Sequence, residues 1–214
     1  MKKSILIIGA GPGLSLGVAE RFAKEGFSIN LISRNAGNLE KIKTELEAQD
    51  IDVAYAVADA GNAANLDKAV RELASSVSGF DVVLYNAAVV KSKDIMEESY
   101  ADLTREFSIN VAGALQSLQA AYPGLKEKKG SFLLTGGGLG VTPAAAYGSL
   151  SIGKAGIRSL AYQLNERLKD EGIYVGLLTV AGFIKPESET HSPEVLAELF
   201  WKLHNDRTEV EIHQ

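Results

Sequence analysis

The chain has 214 residues, with 46% hydrophobic and 23% charged side chains, enough apolar material for one sizeable core without a disulfide or metal staple. Its formal net charge of −5 argues against nucleic acid, whose binding rests on phosphate neutralisation by Lys and Arg, and no cationic amphipathic stretch points to a membrane surface. Cysteine is absent, which excludes disulfides, thiolate nucleophiles and cysteine-based zinc sites.

Residues 4–8 form an apolar run of strand length that stops at Gly9. The run is too short for the apolar region of a leader peptide, so a cytoplasmic location is expected. Over 14–24, Leu14, Val18, Phe22 and Ala23 fall on one helical face, with Gly26 placed to end the helix. The pattern then predicts a strand over 29–33 and a charged helix over 39–48 with Leu39, Ile42 and Leu46 inward. A third strand over 53–57, a helix containing 66–73 and a fourth strand over 82–85 follow. Helical spacing runs over 100–120, then a strand over 132–135, a long helix from about 150 to 169 and a sixth strand over 174–180.

Ser192-Pro193-Glu194 opens a last helix with an N-cap serine, a proline at the first helical position and an acid in the first turn. Trp201, near Leu196 and Leu199, is expected in a core or a subunit interface, and 209–212 in a short edge strand. His191, His204 and His213 lack metal-ligand spacing and are expected at the surface or at helix ends, so no metal site is expected. Strands alternating with helices, and apolar on both faces, predict an α/β fold. The expected architecture is a single doubly wound domain over 1–214, a mainly parallel sheet with helices on both faces, with a short lid and C-terminal helix at about 183–205.

The first strand runs through Gly9-Ala10-Gly11-Pro12-Gly13-Leu14-Ser15-Leu16-Gly17 into the first helix. Glycines in that place let backbone amides approach a pyrophosphate seated on the helix N-terminus, which makes the domain Rossmann-type and Gly9, Gly11, Pro12, Gly13, Leu14 and Ser15 cofactor-binding candidates. The second strand ends in Ser33-Arg34-Asn35. Folds that bind NAD usually carry an acid here for the ribose 2′-hydroxyl. An arginine instead pairs with the 2′-phosphate of NADP, and Ser33 can donate a hydrogen bond to it. NADP(H) is therefore preferred and NAD(H) kept as the second choice; the plainer reading is that Arg34 only occupies a helix start.

With these residues the sequence resembles the short-chain dehydrogenase/reductase family over nearly the whole chain. Gly9 and Gly13 match the first two glycines of the family's Thr-Gly-x-x-x-Gly-x-Gly turn, while Ile8 replaces its threonine and Ser15 its third glycine. Asp59-Ala60 resembles the adenine-contacting position, and Asn86-Ala87-Ala88 resembles the Asn-Asn-Ala-Gly segment, with Tyr85 and Ala88 as departures. Asn110 resembles the active-site asparagine and Lys154 the catalytic lysine, which also touches the cofactor. Ala181-Gly182 stands where the family has Pro-Gly beside the nicotinamide, with Phe183, Ile184 and Lys185 as lid contacts. Each residue also has a plainer structural reading, as turn former, loop tie or helix-surface lysine.

The resemblance further implies hydride transfer with a tyrosine, four residues before the lysine, moving the proton. A serine about thirteen residues earlier in the family holds the substrate oxygen. Here Leu150 stands at the tyrosine position, and the serine position falls in Gly136-Gly137-Gly138. Losing a positioned general acid costs about two to four powers of ten in rate. Tyr147 lies on the same helical face as Lys154 but two turns away, about 11 Å along the axis, and is either a substitute or cleft lining. The hydroxyls of Ser149 and Ser151 are too weak as acids to replace it. The glycines of 136–140 either offer backbone donors to the substrate oxygen or form a loose strand exit.

The expected function is an NADP(H)-dependent oxidoreductase acting on a carbonyl or alcohol through an altered proton-transfer site. The alternative is a non-catalytic NADP(H)-binding or redox-sensing protein, and a purely structural protein is a third reading. The resemblance also implies a homodimer or homotetramer joined by helices over 111–120 and 155–168, whose small residues permit close packing or face the sheet.

Overall fold

A computed structural model describes residues 2–214. Seven strands form one all-parallel sheet in the order β3-β2-β1-β4-β5-β6-β7. They are β1 (Ser4–Ile8), β2 (Ser28–Ser33), β3 (Val53–Val57), β4 (Val82–Tyr85), β5 (Ser131–Thr135), β6 (Tyr174–Thr179) and β7 (Glu211–His213). The helices are α1 (Leu14–Ala23), α2 (Ala36–Glu47), α3 (Ala63–Ser76), α4 (Tyr100–Phe107), α5 (Gly113–Lys128), α6 (Gly148–Leu168) and α7 (Pro193–Asp206).

The unbroken apolar run of β1 follows from burial on both faces. Leu6 and Ile8 join a core with Leu66 of α3, Ala114 and Leu118 of α5, and Ile157 and Ala161 of α6. Ile5 and Ile7 join the opposite core with Val18 of α1, Leu39 of α2 and Leu196 and Phe200 of α7. Each fully buried side chain of this size contributes roughly 1.5–3 kcal/mol against exposure. The chain turns one way from β1 to β2 and β3, and the other way from β4 onward, so a crevice opens at the C-terminal ends of β1 and β4.

The expected helix over 100–120 is α4 and α5 joined by a π-helical turn, Ser108–Ala112. Such a turn inserts an extra residue into the helix and is frequent at functional sites. The long helix begins at Gly148, capped by Tyr147, so it starts before Leu150. The last strand is Glu211–His213, displaced toward the C-terminus from 209–212, because Glu211 is drawn in to pair with Thr179 and Arg158.

His191 and His204 lie at the two ends of α7, as expected, and both are half-buried. The His204 ring packs at 5.5–5.8 Å between centroids against Phe22, Phe27 and Trp201, and its Nδ1 lies 2.8 Å from the Ser131 hydroxyl. It is half-buried because the last turn of α7 lies over an aromatic cluster. His191 is half-buried, its ring is filled against Gly182, and its Nε2 is enclosed without a partner. Trp201 packs on that same aromatic cluster, at 5.3 Å from Phe22. Of the small residues on the long helices, Gly113, Ala114 and Ala161 face inward, and Gly113 sits under the Tyr85 hydroxyl and Ala60 carbonyl. Their smallness serves packing within the chain.

Candidate functional site

Gly9 leaves β1 with a φ of +85°, and a Cβ there would collide with the backbone of Ala87 and lie 2.8 Å from the Asn86 carbonyl carbon. Only glycine lets the first turn pass so close to the end of β4. Gly11 and Gly13 face open space, where a Cβ would meet nothing within 4 Å. Gly13 caps α1 without any side-chain hydrogen bond, and the first turn of α1 holds no acid. The N-terminus of α1 thus presents free backbone donors and its partial positive charge to the crevice. Pro12 is exposed and Leu14 buried.

Ser15 is buried rather than open. Its hydroxyl donates to the Gly9 carbonyl at 3.0 Å and accepts from the Asn86 amide at 2.9 Å, so both side chains brace the turn from within. A cavity of about 190 Å³ lies between this turn and the ends of β2, β3 and β4, lined by Gly9, Ala10, Ser33, Arg34, Asp59, Ala60, Asn86, Ala87 and Ala88 among others. Asn35 caps α2 by accepting from Asn38 N at 3.0 Å. That leaves Arg34 exposed at the rim, with no ion pair among the described residues. Asp59 folds its carboxylate onto the Gly61 amide at 2.9 Å. A wider hollow lies along α6, beside Arg158 and Tyr162, with Gly140 of the β5 exit at its border.

The second half of the site is built around the π-helical turn. Tyr85 donates its hydroxyl to the Ile109 carbonyl, and Asn110 Oδ1 accepts from Val89 N at 2.7 Å. The departure at Tyr85 therefore ties the end of β4 to the widened turn. Asn110 is buried, its Nδ2 has no hydrogen bond, and a Cβ on Gly153 would stand 2.7 Å from that nitrogen. Gly153 thus lets α6 pass against Asn110.

Lys154 follows Gly153 on α6 and donates its ammonium to the Thr135 carbonyl at 3.0 Å. Part of its side chain remains accessible, but the ammonium is enclosed, and burial lowers its pKa from 10.5 to about 8. A Cβ on Gly137 would lie 3.2 Å from Cδ and Cε of Lys154. Gly136 and Gly138 donate their amides to Leu178 and Val180 carbonyls, at 2.8 and 3.0 Å, and Gly140 donates to Gly137 at 2.8 Å. Those three amides are therefore engaged within the chain, which corrects the idea that they stand free as oxygen-binding donors. The glycines instead let the strand exit press onto Lys154, Ala181 and Thr179.

Leu150 is buried, and Ser151 bonds to the backbone of Ala144. Ser149 donates to Glu106, which is paired with Lys91; Glu98 and Lys93 complete this buried cluster beneath the segment after β4. Residue-type patterns gave no signal for that cluster, since its members come from three separate segments. Tyr147 bridges its backbone to Lys93 at the head of α6, and its hydroxyl makes no hydrogen bond among the described residues. Ala181, Gly182 and Ile184 form the exposed exit from β6, with Phe183 80% exposed beside them.

A family profile described as short chain dehydrogenase matches residues 3–194. The chain belongs to the short-chain dehydrogenase family. An L-2,3-butanediol dehydrogenase of Corynebacterium glutamicum is 32% identical over 124 residues, 56% of this chain and 48% of that protein. A 3-dehydrosphinganine reductase of Arabidopsis thaliana is 27% identical over 182 residues, 82% of this chain and 54% of that protein. The chain thus spans about half the length of these two short-chain dehydrogenase relatives. An uncharacterised oxidoreductase of Mycobacterium tuberculosis is 29% identical over 202 residues, 91% of this chain and 78% of that protein.

Among solved structures, L-sorbose reductase of Gluconobacter frateurii, complexed with NADPH and L-sorbose, superposes with a TM-score of 0.91 at 21% identity, covering 100% of this chain and 95% of that one. A metagenomic short-chain oxidoreductase in complex with NADP gives 0.89 at 18% identity, over 99% and 96% of the two chains. These likenesses establish the short-chain dehydrogenase fold.

Proposed function

We propose that this chain binds a nicotinamide dinucleotide, with NADP(H) preferred over NAD(H), and works as an oxidoreductase on a small carbonyl or alcohol. The observation that carries this reading is the crevice at the ends of β1 and β4, where Gly11 and Gly13 leave open space before an uncapped helix and Arg34 stands unpaired at the rim. That donor set fits the group: backbone amides and a helix N-terminus for a pyrophosphate, and at the end of β2 a guanidinium without an ion pair among the described residues for a 2′-phosphate. When bound, the dinucleotide would supply or accept a hydride.

The chain's own residues divide the remaining work. Gly9, Gly11, Pro12, Gly13 and Leu14 shape the phosphate cradle, and Ser15 and Asn86 hold it rigid. Ser33 and Arg34 select the phosphorylated ribose, with Asn35 fixing α2 behind them. Asp59, Ala60, Ala87 and Ala88 wall the base and ribose, and Ala181, Gly182 and Ile184 border the nicotinamide end. Asn110 and Lys154 form the catalytic side, with Tyr147 at its edge. A homodimer or homotetramer belongs to the same proposal, formed over the exposed Phe107, Leu115, Ile152 and Tyr162 of α4–α6.

The second reading is a non-catalytic NADP(H)-binding or redox-sensing protein, favoured by buried Leu150 and by Gly137 where a proton donor and a hydroxyl would be needed. A fluorescence titration with NADPH and, in parallel, NADH tests the common part. Micromolar binding of NADPH with much weaker NADH supports it, and binding of neither overturns it. A carbonyl screen with NADPH then separates the two readings: turnover supports the oxidoreductase, and binding without turnover the sensor.

A further inference from the structure

Among the described residues, the large apolar side chains that stand more than half exposed are Val90, Met96, Tyr100, Val141 and Phe183, with Met96 at 89%, Phe183 at 80% and Val90 at 75%. Single exposed apolar residues scattered over a surface are ordinary, whereas a group of them in one place marks a ligand or partner site. These are not scattered. Val90, Met96 and Tyr100 follow β4, Val141 follows β5 and Phe183 follows β6. The three strands lie side by side and run the same way, so all of these residues come after the sheet at the end where the crevice opens.

The three exits are joined into one rim. Gly138 donates its amide to the Val180 carbonyl at 3.0 Å, and a Cβ on Gly138 would stand 3.1 Å from that of Ala181, so the exits of β5 and β6 touch. The β4 exit is tied to the segment before α6. Ile95 N donates to the Ala145 carbonyl at 2.9 Å and Gly148 N to the Lys93 carbonyl at 3.0 Å, while the Ser92 hydroxyl donates to the Ala146 carbonyl at 3.1 Å.

The inner run of this rim is uncharged. No Asp, Glu, Lys, Arg or His occurs in 86–90, 136–146 or 181–184. Lys91 and Lys93, just beyond Val90, are turned to Glu98, Glu106 and Asp102, with Lys93 Nζ 3.1 Å from the Asp102 carboxylate. A carboxylate or phosphate on a substrate would lose water there and gain no counter-ion. An alkyl chain would instead cover the apolar side chains and take them out of water.

We propose that the substrate is a neutral carbonyl compound, or the matching alcohol, whose extended apolar chain lies over Val90, Val141 and Phe183; this rests on the oxidoreductase reading above. The reacting carbon lies toward the crevice, and Met96 and Tyr100 continue the apolar surface outward. Specificity then comes from the length of the hydrocarbon. Lys185, the next cation along the β6 exit, has no ion pair among the described residues and defines the rival, a carboxylate substrate anchored on it.

The test follows NADPH oxidation with straight-chain aldehydes from propanal to decanal, beside α-keto acids of the same lengths. Along the aldehydes kcat/KM is expected to rise about two- to fourfold per added methylene, as burial of that group implies. The keto acids are expected to be at least about tenfold poorer. F183S and V90S alter exposed side chains and are expected to flatten the dependence on length, with NADPH affinity by fluorescence within a few-fold of the unaltered chain. A measurement that needs no turnover is calorimetry of straight-chain alcohols binding to the NADP-loaded chain. Affinity is expected to climb with length and the heat capacity to fall on binding, the mark of apolar burial.

Rates and affinities flat in chain length overturn the proposal and leave the oxidoreductase reading standing. A preference for keto acids that K185A abolishes does the same. So does an F183S variant that changes only the sedimentation of the chain, which assigns the apolar rim to a second copy. If no carbonyl is turned over, the alcohol series still decides whether the rim takes an apolar chain. Failure of the unaltered chain to bind NADPH removes the function on which the proposal rests, and the proposal with it.

Discussion

Asn86 at the end of β4 donates its amide to the hydroxyl of Ser15 on α1 at 2.9 Å, and Ser15 passes its own hydrogen to the Gly9 carbonyl at 3.0 Å. Two segments far apart in sequence are thereby fastened across the crevice that separates them. Replacing Ser15 by alanine leaves the half-buried amide of Asn86 with only its longer contact to the Gly9 carbonyl at 3.5 Å, a loss of about 0.5–1.5 kcal/mol. S15A is expected to lower the denaturation midpoint and to weaken NADPH binding several-fold by loosening the turn. Unchanged stability in urea unfolding would show that the fastening has no weight.

Arg34 is exposed and free of ion pairs among the described residues, so its removal has little to disturb in the folded chain. A charge-assisted pair with a phosphate contributes about 1.5–3 kcal/mol, or roughly ten- to hundredfold in affinity. R34E is expected to lose NADPH affinity by at least tenfold, to hold or gain NADH affinity, and to unfold at an unchanged temperature. Equal loss for both dinucleotides would remove the arginine from 2′-phosphate selection.

Gly9 combines a φ of +85° with a backbone neighbour that cannot step aside. The left-handed conformation alone costs a non-glycine residue about 1–3 kcal/mol, and overpacking adds to it. G9A is expected to be among the most destabilising single substitutions in the chain, by about 2–4 kcal/mol in denaturant unfolding. G11A, facing open space, is expected to fold normally and to lose affinity for the dinucleotide instead.

His204 gives a pH dependence with a definite sign. Burial lowers its pKa from 6.5 to about 4, with the charges of Arg207 and Lys3 adding to the effect and Asp81 opposing it. The folded state holds the ring neutral, whereas the unfolded chain protonates it near pH 6.5. The stability is therefore complete above pH 6.5 and is lost as the pH falls toward 4, with a slope of up to about 1.4 kcal/mol per pH unit. H204F is expected to flatten that part of the curve in calorimetric scans. A curve of unchanged slope in the variant would assign the acid sensitivity to other groups.

The alternation of strands and helices, the parallel sheet and the glycine turn were legible in the residues alone, because these rest on local periodicity and on backbone freedom at single positions such as Gly9. The residue pattern also placed Arg34, Asn110 and Lys154 at strand exits and helix faces that converge in the fold. What those side chains meet follows from the packing of distant segments. Ser15 and Asn86 turned inward to each other because β1 and β4 are neighbours in the sheet, and His204 became half-buried because α7 folds back over Phe22 and Phe27. The exits of β5 and β6 took up the amides of Gly136 and Gly138, while Gly137 gave room to the Lys154 stem. Contacts of this kind join residues distant along the chain, and no spacing rule reaches them: they follow from which strands lie side by side and how closely a helix crosses them.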